Sequence, residues 1–147
     1  MKKRAFVTAT LFLFSILVAA EVARAEETML VNIPFQFVAG NVTLPAGEYR
    51  VQKLDWNSGM LLIRGSDPNA SIMVITNAAQ AKKLHAQSIL VFNRYDNRYF
   101  LSQVWTAGSI RGRQLRKSPR ETELSRLAGI EKKTEVALVA RLTPTNP

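Results

Sequence analysis

Apolar and polar residues alternate along much of this chain, and the alternation predicts β-strands. Over residues 31–37, apolar side chains recur at every second position, which is typical of a half-buried strand. Pro34 cannot donate a backbone hydrogen bond, so this strand is predicted to lie at a sheet edge. The same alternation over residues 44–54 predicts a second strand, and Asn57-Ser58-Gly59 predicts the turn that follows it.

Two short apolar runs, residues 60–63 and 72–75, predict strands that are covered on both faces. The alanine-rich stretch 78–87 contains no glycine or proline and predicts either one or two helical turns or a long loop. A last strand is predicted over residues 136–142, with a frayed tail after it.

A β-hairpin is predicted where residues 89–95 and 98–105 flank Asp96-Asn97, since both turn residues tolerate the positive φ of a type I′ turn. A two-residue turn pairs Tyr95 with Arg98, Arg94 with Tyr99, Asn93 with Phe100 and Phe92 with Leu101. One face of the hairpin would then carry Leu90, Phe92, Arg94, Tyr99, Leu101, Gln103 and Trp105. Because both faces are apolar away from the turn, we expect the hairpin inside the sheet, with its second face covered by another sheet, a helix or a partner.

A short helix is predicted from about residue 119 to residue 128. Ser118-Pro119-Arg120-Glu121 is a capping box with proline at the first helical position, and Gly129 ends the helix. Its apolar stripe would consist of Leu124, Leu127 and Ala128. The fold class is therefore mainly β, an antiparallel β-sandwich or open barrel of seven or eight strands with one short helix.

The first 25 residues have the features of a cleavable secretory signal peptide. A basic start is followed by an apolar run over residues 5–20 and by Ala23-Arg24-Ala25, a small-x-small cleavage motif. That run is shorter than the roughly 20 residues that span a bilayer. Cleavage after Ala25 would leave 26–147 as a single β-rich domain, with 16 Lys and Arg against 10 Asp and Glu. We therefore expect an exported protein, periplasmic or extracellular, with no transmembrane anchor.

Several segments resemble a family of small exported bacterial β-proteins of no assigned function. These are VNIPFQFVAGNVTLPAGEYRVQ, GMLLIRG, NRYDNRYFLSQVW and KSPRETELSR, which together cover most of the chain after residue 25. The resemblance implies a compact exported β domain, and it implies no catalytic or binding residues.

The residue types in the chain argue against an enzyme. There is no cysteine, so thiol nucleophiles, thiolate metal sites and disulfides are excluded. His85 is the only histidine, and no G-x-S-x-G nucleophile elbow is present. We expect no catalytic residues, no metal and no cofactor.

The densest positive charge lies in residues 111–126, here called the basic segment. It contains Arg111, Arg113, Arg116, Lys117, Arg120 and Arg126. Arginine side chains bind phosphate and carboxylate groups through paired hydrogen bonds. The segment therefore predicts a binding or structural role at the cell envelope, with an anionic polymer, a lipid headgroup or an acidic protein as partner. Nucleic acid is disfavoured for an exported protein, and the alternative is that these side chains form a solvated face.

The aromatic residues offer a second hypothesis. Trp105, Tyr99 and Phe92 are predicted to share one hairpin face and to pack in the core. Trp56 precedes a turn, which makes it the better candidate for contact with a ligand. The alternative function is thus a small-molecule or carbohydrate-binding module that uses a cleft with Trp56, Tyr95 or Tyr99 at its mouth.

Overall fold

A computed structural model describes residues 27–54, 57–129 and 133–144, and the predicted signal peptide lies outside these ranges. The described residues form ten strands and one helix. The strands are β1 (Glu27–Ile33), β2 (Phe37–Ala39), β3 (Val42–Leu44), β4 (Gly47–Lys53), β5 (Met60–Gly65), β6 (Ser71–Gln80), β7 (Ser88–Tyr95), β8 (Arg98–Trp105), β9 (Arg111–Leu115) and β10 (Lys133–Pro144). The helix, α1, spans Pro119–Ala128.

Eight of the strands form a closed antiparallel barrel in the order β8-β7-β10-β1-β4-β5-β6-β9. The pairing of β9 with β8 closes it. The remaining strands, β2 and β3, form a short hairpin in which β2 runs parallel to β8. The mainly antiparallel β fold with one helix is confirmed, and of the two architectures considered the chain forms a barrel.

The barrel core consists of side chains that recur at every second strand position. In β1 and β4, for example, Val31, Ile33, Tyr49 and Val51 are all buried. The largest side chains of this core also include Phe37, Phe92, Met29, Leu44, Leu61, Ile63, Leu90 and Val104. Burial of this apolar surface supplies the main stabilisation, at about 25 cal/mol per Å².

The prediction that Pro34 marks an edge strand is wrong. Strand β1 ends at Ile33 and lies between β4 and β10, so it has a neighbour on each side. Pro34 instead separates β1 from β2, at a point where the chain needs no ladder hydrogen bond. In the described part of the chain the strand with a single neighbour is β3, which pairs only with β2.

The apolar runs 60–63 and 72–75 are not covered on both faces. Leu61, Ile63 and Val74 point to the core, whereas Met73 is 52% exposed and Ile75 is 71% exposed. A single-layered barrel has one inner and one outer face, so half of each run meets solvent. In the alanine-rich stretch, β6 continues to Gln80 and residues 81–87 form a loop, so the loop alternative holds for all but the first three residues.

The predicted hairpin forms β7 and β8, and its four predicted pairs nearest the turn are present. The turn is not type I′, because Asp96 has a φ of 53° while Asn97 does not have a positive φ. Farther from the turn the register shifts: Phe92 pairs with Leu101, but Val91 pairs with Gln103. This β-bulge reverses the faces beyond it. Trp105 therefore lies on the face opposite Phe92, outside the barrel core, and the prediction that they share a face is wrong.

Helix α1 begins and ends as predicted, but it buries a different side chain. The Ser118 hydroxyl accepts a hydrogen bond from the backbone N–H of Glu121, at 3.1 Å, and so caps the helix. The Glu121 side chain is itself buried and contacts β7, so the helix covers the outer face of the hairpin. Leu127, expected in the apolar stripe, is 78% exposed, and that part of the prediction is wrong.

Candidate anion-binding site

Strand β4 positions a lysine at one end of the barrel. Tyr49 and Val51 are buried in the core, and Lys53 follows them at the same two-residue spacing. Since alternate residues of a strand share a face, Lys53 lies on the inner side of the barrel wall where the strand ends. Its side chain is half-buried.

Strand β9 positions two arginines at the same end. Leu115 belongs to the core, and Arg113 and Arg111 precede it at two-residue spacing. Arg113 is half-buried and Arg111 is exposed. Gly112, between them, is buried on the outer face, where a Cβ would lie 2.4 Å from Cε3 of Trp105. The absence of a side chain at Gly112 thus lets the Trp105 ring cover β9 from outside.

These three cationic residues line one cavity of about 520 Å³, here called the mouth cavity. Among the described residues, its lining includes Lys53, Asn57, Ala78, Ala79, Gln80, Arg111, Gly112 and Arg113. The positive charge is contributed by two strands, β4 and β9, that are distant in sequence. The amide side chains of Asn57 and Gln80 add neutral hydrogen-bonding groups.

The turn after β4 is fixed beside the cavity by Gly59 and Thr76. The carbonyl oxygen of Gly59 accepts hydrogen bonds from the Thr76 backbone N–H, at 2.8 Å, and from the Thr76 hydroxyl, at 2.6 Å. Gly59 has a φ of 67°, and a Cβ there would lie 2.6 Å from the Thr76 carbonyl oxygen and 3.3 Å from Nη1 of Arg113. Only glycine fits this position without strain.

Burial lowers the pKa of Lys53 below its usual value, and the nearby positive charge of Arg113 lowers this pKa further, while Glu27 opposes the shift. Its Nζ donates a hydrogen bond to Oγ1 of Thr106, at 2.9 Å. An opposite charge nearby stabilises the charged form of a lysine, so an anion in the cavity would favour protonated Lys53, as Glu27 does. The mouth cavity can therefore bind a phosphate, carboxylate or sulfate group through charge-assisted hydrogen bonds.

The structure divides the rest of the basic segment among separate surfaces. Arg116 and Lys117 are exposed and line a different groove, of about 390 Å³, beside β6. Arg120 lines a third depression, of about 310 Å³, near the turn of the β7–β8 hairpin. Arg126 is exposed in the last turn of α1. Of the six predicted cations, only Arg111 and Arg113 share the mouth cavity.

Tyr99, one of the two tyrosines predicted at the mouth of an aromatic cleft, lines the depression of about 310 Å³ that Arg120 also lines. Tyr95 is buried against α1, and Tyr99 stacks on Phe35 with 3.7 Å between ring centroids. Trp56 lies outside the described residues. Trp105 packs against His85, with ring centroids 4.7 Å apart, and Nε2 of this histidine is buried with no hydrogen-bond partner. This environment gives the single histidine a packing role.

Sequence reasoning missed Lys53, although the signal was present. The alternation that places Tyr49 and Val51 in the core extends by one more step to Lys53. A lysine on the predicted buried face needs a polar partner, and that conflict could have marked it as a candidate.

Comparison with protein-family models, with curated proteins and with solved structures finds no match to this chain. Among the residues that the structure describes, no helix has the length and hydropathy needed to span a membrane. Within the same residues there is no group of three or more His, Asp or Glu side chains that could hold a metal ion.

Proposed function

We propose that this protein is an exported, non-enzymatic binding domain that acts at the cell envelope and holds anionic groups in its mouth cavity. The observation that carries the proposal is the convergence of Lys53, Arg111 and Arg113 on one cavity. Two of these cations come from the basic segment and the third comes from β4.

The shape and charge of the cavity favour a small anionic group over a flat polyanionic surface. Its cations line a concavity, and Lys53 is partly withdrawn from water. An anion that enters would add charge-assisted hydrogen bonds to those that the cations already make, and such bonds are stronger where the local dielectric is low. The terminal phosphate or carboxylate of an envelope polymer or lipid has the chemistry required.

The test uses tripolyphosphate as the probe and isothermal titration calorimetry as the measurement. We expect Arg111→Gln and Lys53→Met each to weaken binding at least tenfold, because each removes a cation from the cavity. Arg126→Gln is the matched control, since it removes the same charge from an exposed arginine on α1. We expect the control to change affinity less than twofold.

A salt series extends the test, and it is repeated with the cell-envelope fraction in place of tripolyphosphate. Binding should weaken as salt rises, because part of the attraction is screened. The proposal is wrong if Arg126→Gln weakens tripolyphosphate binding as much as Arg111→Gln does. Affinity would then depend on the net charge of the protein and not on the residues of the cavity. It is also wrong if tripolyphosphate fails to bind the unaltered protein.

A further inference from the structure

We propose that the depression of about 310 Å³ near the β7–β8 turn binds one unit of an acidic sugar, a hydroxylated ring that carries a carboxylate. It is here called the arginine depression, because Arg98 and Arg120 both line it. The site goes beyond the proposed function, since among the described residues it shares no lining residue with the mouth cavity.

Separate parts of the chain meet at the arginine depression. Strand β2 pairs with β8 in parallel, and Gln36 and Arg98 directly precede the first pair of residues. Thr43 comes from β3, which pairs with β2 on its other side. Arg120 comes from the first turn of α1, and Asn97 comes from the β7–β8 turn. Polar side chains from distant segments thus line one concavity.

The two arginines supply positive charge that is available to a ligand. Both side chains are exposed, and within the described ranges neither guanidinium forms a hydrogen bond or an ion pair with the protein. Arg94 of the same hairpin differs, because its Nε donates to the carbonyl oxygen of Asp96 at 2.6 Å. A guanidinium holds a carboxylate through two parallel hydrogen bonds. The arginine depression therefore favours a ligand with a carboxylate.

Neutral side chains distinguish this ligand from a simple anion. Gln36, Thr43 and Asn97 are exposed and line the depression together with the arginines. Amide and hydroxyl side chains both donate and accept hydrogen bonds. A bare carboxylate only accepts, so it would leave the amide oxygens unused. Ring hydroxyls can donate to those oxygens and accept from the amide N–H groups, which favours a sugar acid.

The less exposed part of the lining suits the apolar face of a sugar ring. Val38 and Tyr99 are half-buried and line the depression. Tyr99 is held by stacking on Phe35, with 3.7 Å between ring centroids, and a surface formed in advance lowers the entropic cost of binding. The volume of about 310 Å³ lies at the lower end of the roughly 300–1,000 Å³ typical of small-molecule sites. The depression therefore accommodates one sugar unit of a longer chain.

The probes are trimers of D-galacturonate, D-glucuronate, D-mannuronate and L-guluronate, so that the test does not depend on one ring configuration. Isothermal titration calorimetry measures the affinity, and amide chemical shifts in an NMR titration locate the site. The control ligands are the same trimers with their carboxylates reduced to alcohols. We expect at least one uronate trimer to bind, with shifts at residues 36–38 and 97–100. Its reduced form should bind at least tenfold more weakly.

Substitutions test the two kinds of contact separately. Arg98→Gln and Arg120→Gln should each weaken uronate binding at least fivefold, because each removes a cation from the depression. Gln36→Leu and Thr43→Val leave the charge unchanged and remove hydrogen-bonding groups, and we expect each to weaken binding at least threefold. All four positions are exposed, so the thermal unfolding midpoint should stay close to that of the wild type.

Two matched controls separate the arginine depression from other positive charge. Arg126→Gln removes a cation from the same helix outside the depression, and Arg111→Gln removes one from the mouth cavity. We expect each to change the uronate affinity less than twofold. Tripolyphosphate tests the mouth cavity, so failure of that probe with retention of uronate binding would contradict the proposed function and leave the acidic-sugar site standing.

The acidic-sugar site is ruled out if none of the uronate trimers binds, or if the reduced trimers bind as tightly as the charged ones. It is also ruled out if Arg126→Gln weakens binding as much as Arg98→Gln does. A further contradicting result is a loss of binding in the two arginine variants with no effect of Gln36→Leu and Thr43→Val, because the depression would then recognise charge alone.

Discussion

The hydroxyl of Tyr95 donates a hydrogen bond to the carboxylate of Glu121, with 3.2 Å between the oxygen atoms, and this contact ties α1 to β7. Nδ2 of Asn93 donates to the same carboxylate oxygen at 2.8 Å. Both polar residues of β7 and the glutamate are buried. A buried polar network therefore helps to hold α1 on β7, and Leu124 and Ala128 of the predicted stripe are half-buried.

Removal of the Glu121 carboxylate should destabilise the protein strongly. In Glu121→Ala, the buried donors of Asn93 and Tyr95 lose their acceptor, and we expect the free energy of unfolding to fall by about 3 kcal/mol. Urea denaturation measures the change. Glu123→Ala removes an exposed carboxylate from the same helix and should cost less than about 0.5 kcal/mol. Equal effects of the two substitutions would contradict the structural role of Glu121.

Tyr95 should make stability depend on alkaline pH. Burial, with the adjacent charge and hydrogen bond of Glu121, raises the pKa of Tyr95 from 10.0 to about 12. The unfolded chain loses this proton first, so the contribution to stability is present below pH 10.0 and is lost as the pH rises through about 12.

The comparison with Tyr95→Phe isolates this contribution. The difference in free energy of unfolding between wild type and Tyr95→Phe should shrink from pH 9 to pH 12, as measured by urea denaturation at each pH. A difference that stays constant over this range would show that Tyr95 does not titrate differently in the two states.

Gly112→Ala should be destabilising because of the Trp105 ring. The added methyl group would lie 2.4 Å from Cε3 of Trp105, so the ring or the strand must move. We expect a loss of about 2 kcal/mol in the free energy of unfolding and a shift in tryptophan emission. In a Trp105→Ala background the same substitution should cost much less. If it costs the same in both backgrounds, the clash with Trp105 is not the cause.

Lys53 should make stability depend on pH with the opposite sign to Tyr95, so that stability rises with pH instead of falling. Its pKa is lowered in the folded protein, so the folded state binds fewer protons than the unfolded state below the ordinary value of 10.5. The resulting penalty is fully present below the lowered pKa and disappears as the pH rises past 10.5. Wild-type stability should therefore rise with pH relative to Lys53→Met in that window. A parallel pH profile for the two proteins would contradict the shift.

Local pattern in the sequence was enough to predict the hairpin, the helix and the mainly antiparallel strands. Period-two alternation reports which side chains share a face, and Ser118-Pro119 reports where a helix begins, because both depend on neighbouring residues alone. The pairing near Asp96-Asn97 was predictable for the same reason. The exposure of Leu127 was not predictable from this local pattern, since the buried Glu121 also turns one face of α1 towards β7.

Only the tertiary structure decided which strands meet. The β-bulge between β7 and β8 moved Trp105 to the outer face, although the pairs nearer the turn are those predicted. Closure of the barrel by β8 and β9 brought Lys53 near Arg113, although the two residues lie sixty positions apart in sequence. Within the described ranges, the early end of β9 left the first half of β6 paired with β5 alone. Strand order, closure and strand length depend on contacts between distant segments, and such contacts leave no periodic signal in any one of them.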